Sequence, residues 1–285
     1  GFSKNVQTID SVKIEWLNGN QSVFNSVQVN QILNVSLENS VLVNKSKIKN
    51  RRIFSEIEGF GESLNLVHKE NDVWDFETET LLPHKQSTNG PNVSVADVNN
   101  DKLDDFYMGG AHTFAGKLML QTLDGKFKES KINPWNKHRD SEDIGSTFFD
   151  YDNDGDLDLY VVSGGGNEFQ FDSESLQDRL YDNDGKGNYK YVANAFNEKV
   201  LSSGSKVQAF DYDKDGDLDL FVGGRLVPNS YPAAAESILW ENRNGIFFNV
   251  TASLALEIQR IGLVTDFKWV DLNQDENIDL MIVGE

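Results

Sequence analysis

Asp150-Tyr151-Asp152-Asn153-Asp154-Gly155-Asp156-Leu157-Asp158 runs straight into Leu159-Tyr160-Val161-Val162, an acidic loop joined to an apolar run without a spacer. The same junction appears three more times: Asp97-Val-Asn99-Asn-Asp101-Lys102-Leu-Asp-Asp105, Asp211-Tyr-Asp213-Lys-Asp215-Gly216-Asp-Leu-Asp219 and Asp271-Leu-Asn273-Gln-Asp275-Glu276-Asn-Ile-Asp279. Each copy sets side-chain oxygens at positions 1, 3, 5 and 9 of the loop. Calcium is a hard cation that takes about six to eight oxygens, so carboxylates on alternate residues, with a backbone carbonyl among them, suit it. One copy alone is as well explained by a solvated turn, because Asp, Asn and Gly are common turn residues. Four copies with the ligand spacing kept weigh against that explanation.

The copies begin at residues 97, 150, 211 and 271, at intervals of 53, 61 and 60 residues. Self-similarity at a period of roughly 40 to 50 residues or more points to propeller blades. An EF-hand opens with a similar D-x-[DN]-x-[DN]-G, but it needs a bidentate Glu at position 12 and a helix on each side. Position 12 here holds Met108, Val161, Val222 and Ile282. Apolar runs follow each loop, and β-rich runs precede it: Val93-Ser-Val-Ala, Thr147-Phe-Phe, Val207-Gln-Ala-Phe and Phe267-Lys-Trp-Val. The pattern predicts strand, calcium loop, strand, with the strands after the loops buried on both faces. Gly155 and Gly216 occupy position 6, where a sharp turn favours positive φ. Lys102 and Glu276 stand there in the first and fourth loops, which are therefore expected to be strained, weaker cages.

Two further segments complete each repeat. Lys117-Leu-Met-Leu-Gln121, Arg179-Leu-Tyr-Asp182 and Ile238-Leu-Trp-Glu-Asn242 read as third strands, and Asp124-Gly125, Asp184-Gly185 and Asn244-Gly245 are hairpin signals leading to a fourth. Asp182-Asn-Asp184-Gly mimics a fifth calcium loop, yet Lys190 stands at its position 9, so it reads as a plain turn. The predicted fold is all-β, a β-propeller of four-stranded blades over 93–145, 146–205, 206–262 and a partial 263–285. A closed propeller needs about four to eight blades and this chain supplies about three and a half, so a longer parent protein is expected. The start in mid-pattern at Gly1-Phe-Ser-Lys4 carries the same expectation. Residues 1–44 form a small β segment of their own. Ser11-Val-Lys-Ile-Glu-Trp16 alternates, Asn18-Gly19 offers a hairpin turn, and Ser22-Val-Phe24 and Val27 to Leu37 read as continuing strands. Residues 45–92, opening with the basic run Lys45 to Arg52 and then Phe54-Ser-Glu-Ile, lead to the blades.

The loops also locate the charge. Eighteen acids against Lys102 and Lys214 account for −16 of the net −20. Four bound calcium ions would leave about −12, and loops this acidic self-repel without metal, so stability is expected to depend on it. A surface of this sign excludes a duplex nucleic acid partner, because phosphate binding needs basic side chains. The absence of cysteine excludes disulfides and thiolate metal sites. No apolar run reaches the ~18 residues that would span a membrane, and the first residues are no signal peptide.

These features resemble the FG-GAP/VCBS repeat family, whose blades carry D-x-D-x-D-G-x-x-D between their first two strands, as in the integrin α-subunit head. The likeness covers roughly residues 54–285 and is closest in Leu180-Tyr-Asp-Asn-Asp-Gly-Lys-Gly-Asn-Tyr189 and Asp217-Leu-Asp-Leu-Phe-Val-Gly-Gly224. Ile14-Glu-Trp-Leu-Asn-Gly19 and Val29-Asn-Gln-Ile-Leu-Asn-Val35 are similar to the tail of an ASPIC/UnbV-type domain, which accompanies such repeats in cartilage acidic protein and in large bacterial surface proteins. His68-Lys-Glu-Asn-Asp72 and Leu82-Pro-His-Lys85 resemble linkers of the bacterial members. The resemblance implies an exported, calcium-binding propeller used in adhesion or assembly.

Signs of catalysis are few. His68, His84, His112 and His138 stand in no metal or triad spacing, and G-x-S-x-G is absent. Asp140, Glu142 and Asp143 read as a solvated acidic loop, and the tight carboxylate pairs that could serve glycosidic chemistry already belong to calcium loops. Arg225 and Trp135 read as packing residues ahead of ligand contacts. The expected metal ligands are Asp97, Asn99, Asp101 and Asp105; Asp150, Asp152, Asp154 and Asp158; Asp211, Asp213, Asp215 and Asp219; Asp271, Asn273, Asp275 and Asp279. They would hold up to four Ca2+, most strongly at 150–158 and 211–219. The sequence thus predicts a non-catalytic module, extracellular or on a bacterial outer-membrane surface, within a larger surface complex. It would bind a protein or glycan through blade-end loops 111–116, 163–178 and 225–237. The alternative is a polysaccharide-acting lyase or hydrolase with its site at the channel mouth.

Overall fold

A computed structural model describes residues 7–16, 18, 20–42 and 66–285. The basic run Lys45 to Arg52, the stretch from Phe54 and Gly19 of the first turn lie outside the described residues. The chain divides into two compact units, Gly1–Glu58 and Gly59–Glu285. In the first, β1 (Thr8–Glu15) pairs antiparallel with β2 (Asn20–Gln28), and β3 (Val41–Leu42) lines the other edge of β2. The expected continuation of strand from Val27 to Leu37 is corrected: β2 ends at Gln28, and Leu37–Asn39 is a 3-10 turn. Asn30 has φ 60° and Ile32 is 88 % exposed, so the chain leaves the sheet where no partner strand or core covers its apolar residues.

In the second unit each acidic loop sits at a strand-to-strand turn, and the strands after it fold back as an antiparallel meander. Sheet one is β4 (Val93–Ala96), β5 (Asp105–Met108), β6 (Lys117–Gln121) and β7 (Phe127–Glu129). Sheet two is β8 (Glu142–Phe149), β9 (Asp158–Gly164), β10 (Arg179–Asp182) and β11 (Lys190–Tyr191). Sheet three is β12 (Gly204–Phe210), β13 (Asp219–Gly224), β14 (Ile238–Arg243) and β15 (Ile246–Asn249), and sheet four is the pair β16 (Val264–Val270) and β17 (Asp279–Gly284). First strands adjoin first strands, β4 beside β8, β8 beside β12 and β12 beside β16, as the inner strands of neighbouring blades do. Asn244 (φ 55°) and Gly245 (φ 84°) make the two-residue turn from β14 to β15 that Asn-Gly favours.

Burial explains the unbroken apolar runs. Side chains alternate faces along a strand. Leu159 and Val161 of β9 therefore join Tyr107, Leu118 and Trp135 in the core between sheets one and two. Tyr160 and Val162 join Leu220, Val222 and Trp240 between sheets two and three. Phe221 of β13 turns the other way, to Val264 and Phe267 of sheet four. Every residue of β9 and β13 is buried, but β5 alternates buried with half-buried residues and β17 is largely exposed. Burial on both faces, expected for all four strands, is thus confined to the two central sheets, because only these have a neighbour on each side.

The third strands contribute an element the repeat pattern did not flag. Asn183 donates through Nδ2 to the carbonyls of Val98 (2.9 Å) and Leu157 (3.0 Å). Asn242 does the same to Tyr151 (2.8 Å) and Leu218 (3.2 Å). Each amide therefore bridges the acidic loop of its own sheet to position 2 of the preceding loop. Both asparagines are buried, at 4 % and 0 % exposure, so removing the amide strands two carbonyls away from water. Asn242→Ala is expected to lower stability by about 1–3 kcal/mol in urea denaturation; an unchanged midpoint would show that the bracket carries no weight.

Candidate metal centre

The four loops share one backbone path, which sets where their side chains point. Position 4 is left-handed in all of them (Asn100 φ 59°, Asn153 62°, Lys214 64°, Gln274 62°), and so is position 6 (Lys102 69°, Gly155 93°, Gly216 100°, Glu276 69°). Only position 6 was legible in sequence as glycine; Asn at position 4 in two loops was the missed signal. Lys102 and Glu276 hold a conformation that costs a residue with a Cβ about 1–2 kcal/mol, so the first and fourth loops do carry strain. In every loop the position-1 carboxylate accepts from the position-6 amide, at 2.7 Å from Lys102, 3.0 Å from Gly155, 3.1 Å from Gly216 and 3.0 Å from Glu276.

The position-9 carboxylate is a fastener as well as an oxygen donor. Its Oδ2 accepts from the position-2 amide in all four loops: Val98 to Asp105, Tyr151 to Asp158, Tyr212 to Asp219 and Leu272 to Asp279. In three, Oδ1 also accepts from the third strand, from Gln121 (2.7 Å), Asn183 (2.8 Å) and Asn242 (2.8 Å). Asp105, Asp158 and Asp219 are fully buried. Burial pushes Asp158 up to about 8 and Asp219 up to about 7, even against the amides that favour the charged form. Asp156 rises to about 6, first from burial and then from Asp154, Asp182, Asp152 and Asp150.

Carboxylate oxygens of Asp150, Asp152 and Asp158 lie within 4.8 Å of one another, and those of Asp211, Asp213 and Asp215 do the same. Among the described residues these are the two groups of three acids that can hold a metal ion. Asp154 and Asp219 stand outside their loops' groups. Asp97, Asp101 and Asp105, and Asp271, Asp275 and Asp279, form no such group, and in those loops Asn99 and Asn273 take the third position in place of a carboxylate. Position 1 separates the loops the same way. Asp150 Oδ1 and Asp211 Oδ1 are buried without a hydrogen-bond partner. Asp97 Oδ1 instead accepts from Asp101 N, and Asp271 Oδ1 from Gln274 N and Asp275 N. An all-oxygen, anionic set with a free buried oxygen fits a hard divalent cation.

Asp184 closes a local turn, accepting from Lys186 N and Asn188 N. Its neighbour Asp182 is not remote from loop two, since its charge helps raise Asp152 and Asp156.

The acidic stretch before sheet two is corrected. Asp143 and Glu142 are not solvated but lie in β8 at 3 % and 1 % exposure. Asp143 accepts from Arg179 Nη2, Tyr107 OH and Gly110 N, each at 2.8 Å. Neither carboxylate oxygen of Glu142 has a donor, and burial, then Glu168 and Glu70, push it up to about 9. Trp135 is buried between Tyr107 and Tyr181. Buried Arg225 donates to the Leu263 carbonyl and pairs with Glu285. The histidines are dispersed: His68 meets Glu70, His84 meets Gln86, His112 meets the Asp140 carbonyl and His138 meets Tyr181 OH.

Residues 97–161 and 150–222 each match the FG-GAP-like repeat, one match running from the first loop through β9 and the other from the second loop into β13. No curated protein matches the chain. Among the described residues no helix is long and apolar enough to cross a membrane.

The pH response of the metal-free protein follows from the loops. Asp158 and Asp219 titrate higher folded than unfolded, so the folded state binds more protons between their ordinary value of 3.8 and about 7–8. Stability is then lost as pH rises through that window. In EDTA, the melting temperature is expected to be higher at pH 5.5 than at pH 8. A flat or inverted profile would count against this account of the buried acids.

Proposed function

We propose that the chain is a non-catalytic, calcium-stabilised propeller module that works outside the cell in adhesion or assembly. The observation that carries the calcium assignment is the clustering of three carboxylates around a free, buried position-1 oxygen in the second and third loops. Asp150, Asp152 and Asp158, and Asp211, Asp213 and Asp215, would hold the ions, with Asp154 and Asp219 completing the sets. The loops at 97–105 and 271–279 would bind more weakly. Bound calcium would supply positive charge to buried acids and fix each strand-to-strand turn. The matches to the FG-GAP-like repeat support a binding module.

Protein or glycan contact falls, in this proposal, to the loops at the other end of the sheets, 111–116, 163–178 and 225–237. A groove of about 640 Å³ lies against two of them, walled by Phe171, Leu201, Val227 and Pro228. Residues 1–44 would be the tail of an ASPIC/UnbV-like domain. A polysaccharide-acting enzyme has one observation in its favour, the Glu142 and Glu168 carboxyl groups near that end. Glu142 is 1 % exposed and its oxygens are out of solvent contact, which bars a sugar from reaching it.

Melting with calcium and with EDTA tests the proposal. Two sites filled at a hundredfold excess over Kd contribute about 2.7 kcal/mol each, so chelation should lower Tm by on the order of 10 °C. Asp150→Asn and Asp211→Asn should each abolish part of the calcium increment, and Asp184→Ala should leave it intact. Superimposable melts would sink the calcium assignment.

A further inference from the structure

We infer that Glu142 and Glu168, with Glu70 beside them, form a cation site of a different kind, for an oxygen-preferring divalent ion such as calcium, at the end of the sheets opposite the four loops. Glu142 opens β8 and pairs with Gly164 at the close of β9. Glu168 follows in the loop leaving β9, and Glu70 comes from the segment before sheet one. The three acids thus belong to three separate stretches of the second unit.

Unmet hydrogen-bonding capacity is concentrated here. Glu168 Oε1 accepts from Gly166 N (2.9 Å) and Glu70 Oε1 meets His68 Nε2 (2.7 Å), but the second oxygen of each is buried with no donor. Asp75, 1 % exposed, repeats the pattern: Oδ2 accepts from Gln86 N and Ser87 N while Oδ1 has no partner. Glu142 is the extreme case, 1 % exposed with both oxygens unpartnered. Asn167 Oδ1 adds a neutral oxygen without a donor.

Glu142 and Glu168 stand within hydrogen-bonding reach of each other. Two carboxylates only accept, so neither can satisfy the other. A buried charge is tolerated when a counter-charge or a metal meets it. Among the described residues no lysine or arginine does: Arg179 is committed to Asp143 and Arg225 to Glu285. Free carboxylate oxygens joined by an amide oxygen, with no sulfur and one already engaged imidazole, make a hard donor set. An ion there would tie the segment before sheet one to β8 and to the loop after β9. The competing explanation is a single proton shared by Glu142 and Glu168.

Equilibrium dialysis with radiocalcium at neutral pH separates the two. The double variant Glu142→Gln/Glu168→Gln keeps the shape of both side chains and removes their repulsion, so it should fold without an ion. It is expected to bind one calcium fewer per chain than the wild type, while Asp150→Asn/Asp211→Asn retains that one. Unchanged stoichiometry in Glu142→Gln/Glu168→Gln overturns the inference and assigns the shared proton. If the loop variant binds as much as the wild type and the glutamine variant still binds one fewer, the loop assignment falls and this one stands. Should the loop variant fail to fold, wild type against Glu142→Gln/Glu168→Gln decides alone.

Discussion

The buried position-9 aspartate is the constraint on which the second unit depends. Asp158 accepts one amide from its own loop, at Tyr151, and one from the third strand, at Asn183. Asp219 repeats the bonds with Tyr212 and Asn242, and Asp105 with Val98 and Gln121. One side chain thereby fixes three pieces of backbone: the loop, the strand that follows it and the strand beyond. Such a fastener has to be an acceptor on both oxygens, which an amide or hydroxyl cannot be while its other group stays satisfied. The cost is a charge held out of water, and burial raises these carboxyls accordingly.

That cost shapes the rest of each sheet. The asparagine whose backbone meets the position-9 acid also sends its side chain to the preceding loop, so the acids and the sheet-to-sheet bracket share one residue. Asp217 extends the linkage, accepting from Asn153 of the preceding loop at 2.7 Å and from Asn244 N at 3.0 Å. Its counterpart Asp156 has an oxygen without a donor, so loop two concentrates more uncompensated charge than loop three. At the opposite end Asp143 is neutralised by Arg179, while Glu142 one residue away is not. Adjacent residues on a strand face opposite ways, which is how one acid meets an arginine and the next meets other acids.

Much of this was legible in the sequence because it repeats. Position 12 excluded an EF-hand, and the apolar runs and hairpin signals of residues 93–285 gave the meanders, down to the two-residue turn at Asn244-Gly245. What escaped notice lacked a local signature. Asn183 and Asn242 recur at equivalent places, but asparagine before Asp-Gly or near Asn-Gly reads as turn chemistry, and its inter-sheet reach exists only once the sheets are stacked. Glu142 and Asp143 sit in a stretch, Arg139 to Asp143, whose composition is that of a solvated loop. Tertiary partners more than a hundred Å² from any local pattern do not enter such a reading; Arg179, Tyr107 and Glu168 lie in other strands and loops. The run from Val29 to Leu37 failed in the other direction, since its alternation suited a strand but no neighbour was there to pair with it.

The inequality of the four loops follows from the same acceptor accounting. Where position 3 is Asn99 or Asn273, the position-1 acid turns its second oxygen to a backbone amide, from Asp101 in one loop and from Gln274 and Asp275 in the other. Where position 3 is Asp152 or Asp213, that oxygen stays among carboxylates with nothing to accept. A cation has most to offer where the protein has left acceptors unmet, and least where an amide already meets them. Position 6 works in the same sense, because glycine in the second and third loops holds the left-handed turn without the strain borne by Lys102 and Glu276. Charge, unmet acceptors and backbone ease therefore coincide in the two central loops, whose following strands are also the two buried on both faces.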